Sequence, residues 1–283
     1  MRRVPVHEQG PRRTYRGYWD SPIAAPQRAH AALGIYDAPD LQAWAEIAAT
    51  LQGVTVLLGV GPGVLDPGPV ALAPLPAFAG DELRHEGGGA CVLIFSDTPT
   101  DALRRFGTPR YTRTGTHAER GALGFRDGTS QPRRPIELDR HVFVQRRDRE
   151  YMVGGTYLVV RDIQVNPSWH ALATSEQEQV IGRDQRSGVP LHGRRLFEKP
   201  DLTKLPEHSH IRQASPRTSN VTILRRGYDT PEGLMLLAFM QDPRRQFVPL
   251  QRRLAAHDAL HAHTTTRASA VFAIPANPSL YAQ

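Results

Sequence analysis

Cysteine is almost missing from this chain of 283 residues, and the one present, Cys91, can form no internal disulfide, no multi-cysteine zinc site and no iron-sulfur cluster. It sits in the apolar run ACVLIF, where a buried small hydrophobe is the expected role. Long apolar runs are missing as well. No stretch of eighteen apolar residues could span a bilayer as a helix, and the pair Arg2 and Arg3 is followed by VPVHEQG rather than by the apolar centre of an export signal. The expectation is a cytoplasmic protein with no membrane partner. Lysine is scarce too: only Lys199 and Lys204 are lysines, so the net charge of +7 is nearly all arginine. Those arginines are spread along the chain and interleaved with acids, with no basic arm or aromatic-basic module, which argues against nucleic acid as a partner. What the chain has in quantity is apolar residues, 40%, enough to bury a sizeable core.

Periodicity then orders the chain. GTYLVVRDIQV (155–165) is rich in β-branched and aromatic residues and predicts a strand; PSWHALATSEQEQVIG (167–182) predicts a helix that stops on glycine. NVTILRRGY (220–228) predicts another strand, DTPEG (229–233) a turn and LMLLAFM (234–240) a third strand. A helix from Pro243, with Phe247, Leu250 and Leu254 on one face, and a last strand ASAVFAI (268–274) complete the order β-α-β-β-α-β, the ferredoxin-like unit. The first half gives that order from a different sequence. HAALGIY (30–36) is a strand, and DLQAWAEIAATLQG (40–53) a helix with Asp40 as N-cap, Leu41, Trp44, Ile47 and Leu51 inward, and Gly53 as stop. VTVLLGV (54–60) and ACVLIF (90–95) are strands, TPTDALRRF (98–106) a helix, and a closing strand falls near 109–115. The expected fold class is α+β: two ferredoxin-like halves with antiparallel sheets, divided as residues 1–140 and 141–283. Two Gly/Pro-rich loops, 61–76 and 183–219, interrupt the halves, and loops of that length often carry function.

Two loop segments hold the chemistry. GFRDGTSQP (124–132) places Asp127 where glycines and proline forbid regular helix and discourage strand. EHSHIRQASPR (207–217) holds His208 and His210 shortly before the strand that carries Arg225 and Arg226. A lone loop histidine is ordinarily solvated or capping. Gly154 and Gly155 lead into a strand, so they signal close backbone approach rather than a phosphate loop.

GFRDGTSQP at Gly124, GGTYLVVRDI at Gly154, IGRDQRSGVPL at Ile181, SHIRQASPR at Ser209, LRRGY at Leu224 and QDPRRQFVPLQRRL at Gln241 follow one another in the order seen in dye-decolorizing (DyP-type) peroxidases. Softer similarity runs upstream through VTVLLGVGP and LPAFAGDEL to about Tyr18, so the chain resembles this family over nearly its whole length. The resemblance implies two ferredoxin-like halves with haem b (iron protoporphyrin IX) in the C-terminal half. It also implies a peroxidase that reduces hydrogen peroxide through a ferryl porphyrin radical and oxidises dyes or other aromatic reductants. By position, His210 of SHIR matches the proximal iron ligand, whereas His208 does not match. Asp127 matches the distal carboxylate and Arg225 the distal guanidinium. Asp258, in AHDAL, falls near where the family places the acid that accepts the other ring N–H of that histidine. Arg183, in IGRD, either pairs with a haem propionate or caps the helix before it. The chain departs from the family at His257, His261, His263 and RASA. His257 and His261, at i and i+4, either form a solvated polar face or bind a metal from a helix.

These residue types make a coherent chemistry. An ionised Asp127 can shuttle a proton between the two peroxide oxygens, and the permanently charged Arg225 can stabilise negative charge as the O–O bond breaks. Mildly acidic conditions are expected to favour turnover. Trp169 and Tyr228 stand where they could relay electrons from bulky donors, although aromatic residues in such places are usually core. Two rival functions share these motifs: deferrochelatase-like iron release from haem, and haem carriage without turnover. A carrier has no need of a distal acid and cation together. A homo-oligomer is compatible with the sequence.

Overall fold

The computed structural model describes residues 4–5 and 21–276; Arg2, Arg3 and the upstream limit of the similarity at Tyr18 lie outside them. The first half runs β1 (Val4–Pro5), β2 (His30–Tyr36), α1 (Leu41–Thr50), β3 (Val54–Val60), β4 (Leu65–Asp66), β5 (Asp81–Glu86), β6 (Ala90–Ser96), a 3₁₀ helix (Ala102–Phe106) and β7 (Tyr111–Thr116). After α2 (Pro135–His141) come β8 (Thr156–Val165), α3 (Pro167–His170), α4 (Thr174–Ile181), α5 (His210–Gln213), α6 (Pro216–Ser219), β9 (Leu224–Thr230), β10 (Gly233–Met240), α7 (Phe247–His257) and β11 (Thr264–Ile274).

The strand orders β3-β6-β2-β7 and β9-β10-β8-β11 are the same arrangement twice, with the first and third strands of each unit at its centre. Both units are ferredoxin-like. They are joined at both edges, β7 to β9 through Thr116 and Asp229 and β11 to β3 through Ala273 and Val60, and β5 adds to β11 in parallel. No helix among the described residues is long and apolar enough to cross a membrane.

Alternation along the strands builds two apolar layers. Leu33, Cys91, Leu93, Phe95, Leu158, Val160, Leu237, Phe239 and Phe272 meet in one cluster between the two units. Val92 and Ile94 turn the other way, into a cluster with Trp44 of α1, Phe106, and Phe247 and Leu250 of α7. Strand β6 is therefore covered on both faces, which is why its sequence is an uninterrupted apolar run. Burial pushes the Cys91 thiol up, so Cys91 is an unreactive core residue.

The observed elements differ from the expected ones at several ends. Asp40 does cap α1, its Oδ1 accepting from Ala43 N at 3.0 Å, but the helix stops at Thr50 and Gly53 takes a positive φ beyond it. The helix expected over 98–106 shrinks to Ala102–Phe106, because the Thr100 hydroxyl takes the Ala102 N–H (3.2 Å) in a local turn. The helix expected over 167–182 is two helices. Glu176 accepts the Ala173 N–H at 2.8 Å and starts a new N-terminus there, and Gly182 (φ 89°) ends it. The strand expected from Asn220 begins at Leu224, since Asn220 ends α6 in the left-handed region, and α7 begins at Phe247 rather than Pro243.

Candidate active site

The second unit's outer face is covered by α7 at one end and by the cluster of Phe125, Trp169, Ile181 and Leu260 around Val165 at the other, and is less covered between them. Ala238 of β10 packs in the cluster with Phe247 and Leu250 of α7 and pairs directly with Arg225 of β9. Arg225 thus shares a face with the helix-covered surface. Further along that face Gly227, Leu234, Leu236 and Ile163 are only half-buried, although β9, β10 and β8 lie inside the sheet and Arg226, Tyr228, Met235 and Leu237 on the reverse side are buried. Accessible leucines at the centre of a sheet form an apolar floor.

Asp127 stands over this floor. Gly124 (φ 82°) and Gly128 (φ 70°) flank it in conformations open to glycine, and its Oδ1 accepts from Gly128 N at 2.6 Å. Its Oδ2 lies 2.8 Å from where a side chain at Gly227 would place its first carbon. Only glycine lets the carboxylate come this close to β9. Gly227→Ala is therefore expected to displace Asp127. Where Asp127 has the distal role that its motif implies, the peroxide step slows about 10- to 100-fold with haem still bound; rapid mixing with peroxide measures it, and an unchanged rate would show that Asp127 tolerates the shift.

His210 opens α5, a single turn that packs on α4 and α7. Its Nδ1 lies 2.6 Å from Asp258 Oδ2, and Asp258, buried at the C-cap of α7, holds its other oxygen on Leu260 N at 3.0 Å. The carboxylate is thus fixed by backbone before it fixes the imidazole. His210 Nδ1 must carry the proton toward Asp258, which leaves Nε2 as the lone-pair nitrogen, with no hydrogen-bond partner among the described residues. His208 faces elsewhere: it is exposed, and its ring contacts the His257 carbonyl at 3.0 Å.

Arg183 does not cap α4. It is 3% exposed, and its guanidinium donates to Gly188 O (2.7 Å), Leu196 O (3.4 Å) and Ser130 Oγ (3.3 Å). Burial, and then the charge of Arg225, bring its pKa down to about 10. Neither Arg183 nor Arg225 has a carboxylate partner among the described residues. Trp169 is core, against Phe125 and His263, and Tyr228 is core, against Phe95 between the two units. Among the described residues no group of three or more metal-binding side chains exists, and His257 and His261 do not share one helix, since α7 ends at His257 and His261 lies in the turn after it.

Two residues of this region escaped the sequence reading. Gln131, within GFRDGTSQP, takes the Arg225 backbone N–H on its Oε1 at 2.9 Å and so staples the Asp127 loop to β9. Asp229 shares the outer face with Arg225 and Gly227, a period-two signal that could have found it, and its Oδ1 accepts from Ala122 N at 2.7 Å. Burial, and after it the charge of Asp127, push its pKa up from the usual 3.8. A raised value means that the folded protein holds this proton more tightly than the unfolded chain, so stability falls as pH rises from 3.8 through the folded-state value. Asp229→Asn keeps an acceptor for Ala122 and is expected to raise the melting temperature at pH 7 but not at about pH 3; equal shifts at both would assign the effect to something other than charge.

A half-open apolar floor, an acid-backed imidazole with a free nitrogen and guanidinium groups with no carboxylate partner among the described residues are features that fit a flat, iron-bearing, carboxylate-edged ligand such as haem. The profile described as Dyp-type peroxidase, C-terminal, matches residues 118–279. A dye-decolorizing peroxidase of Thermobifida fusca is 30% identical over 83% of this chain and 72% of that protein. The Escherichia coli deferrochelatase is 32% identical, but over 47% of this chain and 37% of its own length. Among solved structures, ferric DtpA from Streptomyces lividans superposes with a TM-score of 0.83 at 28% identity, covering 90% of each chain. A DyP-type peroxidase from Streptomyces coelicolor gives 0.82 at 28% identity, covering 90% of this chain and 91% of that one. The chain belongs to the DyP-type peroxidase family. It is a haem peroxidase, an oxidoreductase that takes peroxide and a reducing substrate.

Proposed function

We propose that His210 ligates the haem iron with Asp258 behind it, that Asp127 and Arg225 work the peroxide on the opposite side, and that Arg183 holds a haem propionate. The observation that carries this reading is the 2.6 Å contact between His210 and Asp258 on the sheet face that Arg225 shares. Haem supplies a redox-active iron that gives electrons to hydrogen peroxide. Asp127 accepts a proton from one peroxide oxygen and returns it to the other, which leaves as water. Arg225 lowers the cost of the negative charge that gathers on the departing oxygen. Asp258 keeps the proton of His210 on Nδ1, and Leu234 and Leu236 exclude water from the floor. The division of labour follows the two halves, with Asp127 from residues 1–140 and the other four from residues 141–283.

The reducing substrate in this proposal is aromatic. Phe197 is 62% exposed, the Arg133 guanidinium lies 4.6 Å from its ring centre, and Arg133 also donates to Gly128 O at 2.7 Å, beside Asp127. A flat donor can stack there at the mouth of the peroxide side. Phe197→Ala is expected to raise KM for an aromatic dye several-fold with KM for peroxide unchanged; steady-state kinetics in both substrates check it, and equal changes in the two would remove Phe197 from dye binding.

The reading as a whole is tested by the absorption spectrum of the haem-loaded protein before and after one equivalent of peroxide. A Soret band that shifts within the mixing time and returns on adding dye supports it, and a band that does not respond defeats it in favour of carriage. Porphyrin analysis after turnover separates the remaining rival, since intact haem supports peroxidase and free protoporphyrin supports iron release. The cytoplasmic setting belongs to this proposal as well, and cell fractionation tests it.

A further inference from the structure

Arg225, Gly227 and Asp229 follow one another on the outer face of β9, and the loop that carries Asp127 lies against the strand at each of them. At Arg225 the backbone N–H donates to Gln131 Oε1 at 2.9 Å. At Gly227 the missing side chain leaves room for Asp127 Oδ2. At Asp229 the side chain takes the Ala122 N–H on Oδ1 at 2.7 Å. There the loop folds back on itself, Gly124 N donating to Gly121 O at 2.7 Å and Gly121 N to Phe125 O at 3.1 Å. Asp127 therefore sits in the middle of a segment pinned at both ends. Of the two pins, Gln131 is neutral at any pH, whereas Asp229 can carry a charge.

Little stands nearby to balance that charge. The titratable groups that face Asp229 are Asp127 from the loop and His117 beyond the end of β7, and its strand partners, Thr116 of β7 and Leu234 of β10, bring no charge. The other charges of the hairpin are engaged elsewhere, Arg126 with Glu119 at 2.7 Å and Arg120 on the carbonyls of Gly124, Gln185 and Arg186. On the reverse side of the sheet Arg113 is held between Asp162 and Glu232. Burial first, and then the like charge of Asp127, make the Asp229 carboxyl keep its proton to higher pH than an ordinary aspartic acid. The two carboxyl groups thus pass through a state with one proton between them.

We propose that Asp229 is a positioning residue for the peroxide step: neutral, it pins the Asp127 loop to β9 without adding charge, and ionised, it places a second negative charge beside Asp127 and slows the step. The inference rests on the reading of Asp127 as the residue that moves the peroxide proton. Negative charge gathers on the departing oxygen as the O–O bond breaks, so an anion on the same face works against Arg225. It also makes Asp127 slower to return its proton. The strand rise sets positions 227 and 229 about 7 Å apart, where a second unit charge costs a factor of about 3 to 50 in rate between the dielectric of water and that of a protein surface.

Stopped-flow mixing of the haem-loaded protein with peroxide, repeated between about pH 4 and about pH 8, tests this in three proteins. In the wild type the rate constant should fall about 3- to 50-fold as Asp229 ionises. Asp229→Asn keeps an acceptor for Ala122 and cannot ionise, so it should hold the acid-side rate across the range. Asp229→Ala cannot ionise either but loses the pin, so it should be about tenfold slower than Asp229→Asn at every pH and equally flat. A merely structural role would slow both variants and leave the shape of the profile as in the wild type. A wild-type rate that does not fall, or a fall that Asp229→Asn shares, overturns the proposal, and equal rates in the two variants overturn the pin. The reading of Asp127 fails on a different result, full rate in Asp127→Asn at every pH.

Discussion

His210→Ala is expected to lose stable haem binding, with the Soret band absent or reduced to that of loosely held haem. The expectation follows from how much of the chain is spent on aiming this one ring. Helix α5 is four residues long and cannot stand by itself, yet it is clamped from several directions. Ser209 Oγ donates to Pro206 O at 2.8 Å, Arg253 of α7 donates to Gln213 Oε1 at 2.8 Å, and Ala259 N donates to His208 O at 2.8 Å. Asp258 then sets the rotation of the imidazole. Alanine keeps the turn and its clamps but removes the side chain that the proposal puts on the iron. Asp258→Asn makes the sharper contrast, because it keeps a Nδ1 acceptor while losing the charge. Haem should stay bound and its reduction potential should rise, since a neutral acceptor makes the imidazole a weaker donor to iron. Spectra and redox titration of the two variants check this together. A normal Soret band in His210→Ala would move the ligand elsewhere, and an unmoved potential in Asp258→Asn would reduce Asp258 to a cap of α7.

How much of this could be read from the sequence depends on how local each feature is. Strands such as β3 and β6 and the start of α1 were legible because their patterns repeat within a few residues and Asp40 caps within three. Strand β5, DELRHE, was not, since an exposed edge strand pairs on one side only and has no apolar face to announce it. The closure of the two units on each other was also invisible, being decided by contacts such as Ala273 with Val60. Within the site, Asp127, His210 and Arg225 were named through their motifs, and periodicity alone would have left them as loop and strand residues. Gln131 carries no signal of its own, and Asp229 carries only its period-two place after Arg225 and Gly227 on β9. Gln131 acquires its meaning from a partner 94 residues away and Asp229 from one 107 residues away, and only the folded chain brings such pairs together.

Arg225→Leu is expected to slow the peroxide step by about 10²- to 10³-fold, the scale for removing one preorganised donor from a site of developing charge, with haem binding and melting temperature nearly unchanged. The structure explains why the fold should tolerate it. The Arg225 guanidinium has no carboxylate partner to orphan among the described residues, its backbone tie to Gln131 survives the substitution, and its removal relieves the like charge that depresses Arg183. Arg226 cannot take its place. One residue along a strand reverses the face, and Arg226 points between the two units, where it donates to Ile23 O (2.8 Å) and Ala25 O (2.6 Å) and lies 5.2 Å from the Phe95 ring. The two arginines of LRRGY therefore separate cleanly, with Arg226→Leu costing stability and Arg225→Leu costing rate. Asp127→Asn completes the comparison because it removes the proton acceptor while leaving the cation. If Arg225 stabilises the charge that Asp127 helps to create, the double variant should be little slower than the slower single one, since each residue acts on the same barrier. Stopped-flow mixing of the three holoproteins with peroxide measures these rates. Full rates in both single variants would mean that peroxide is handled by residues other than these two.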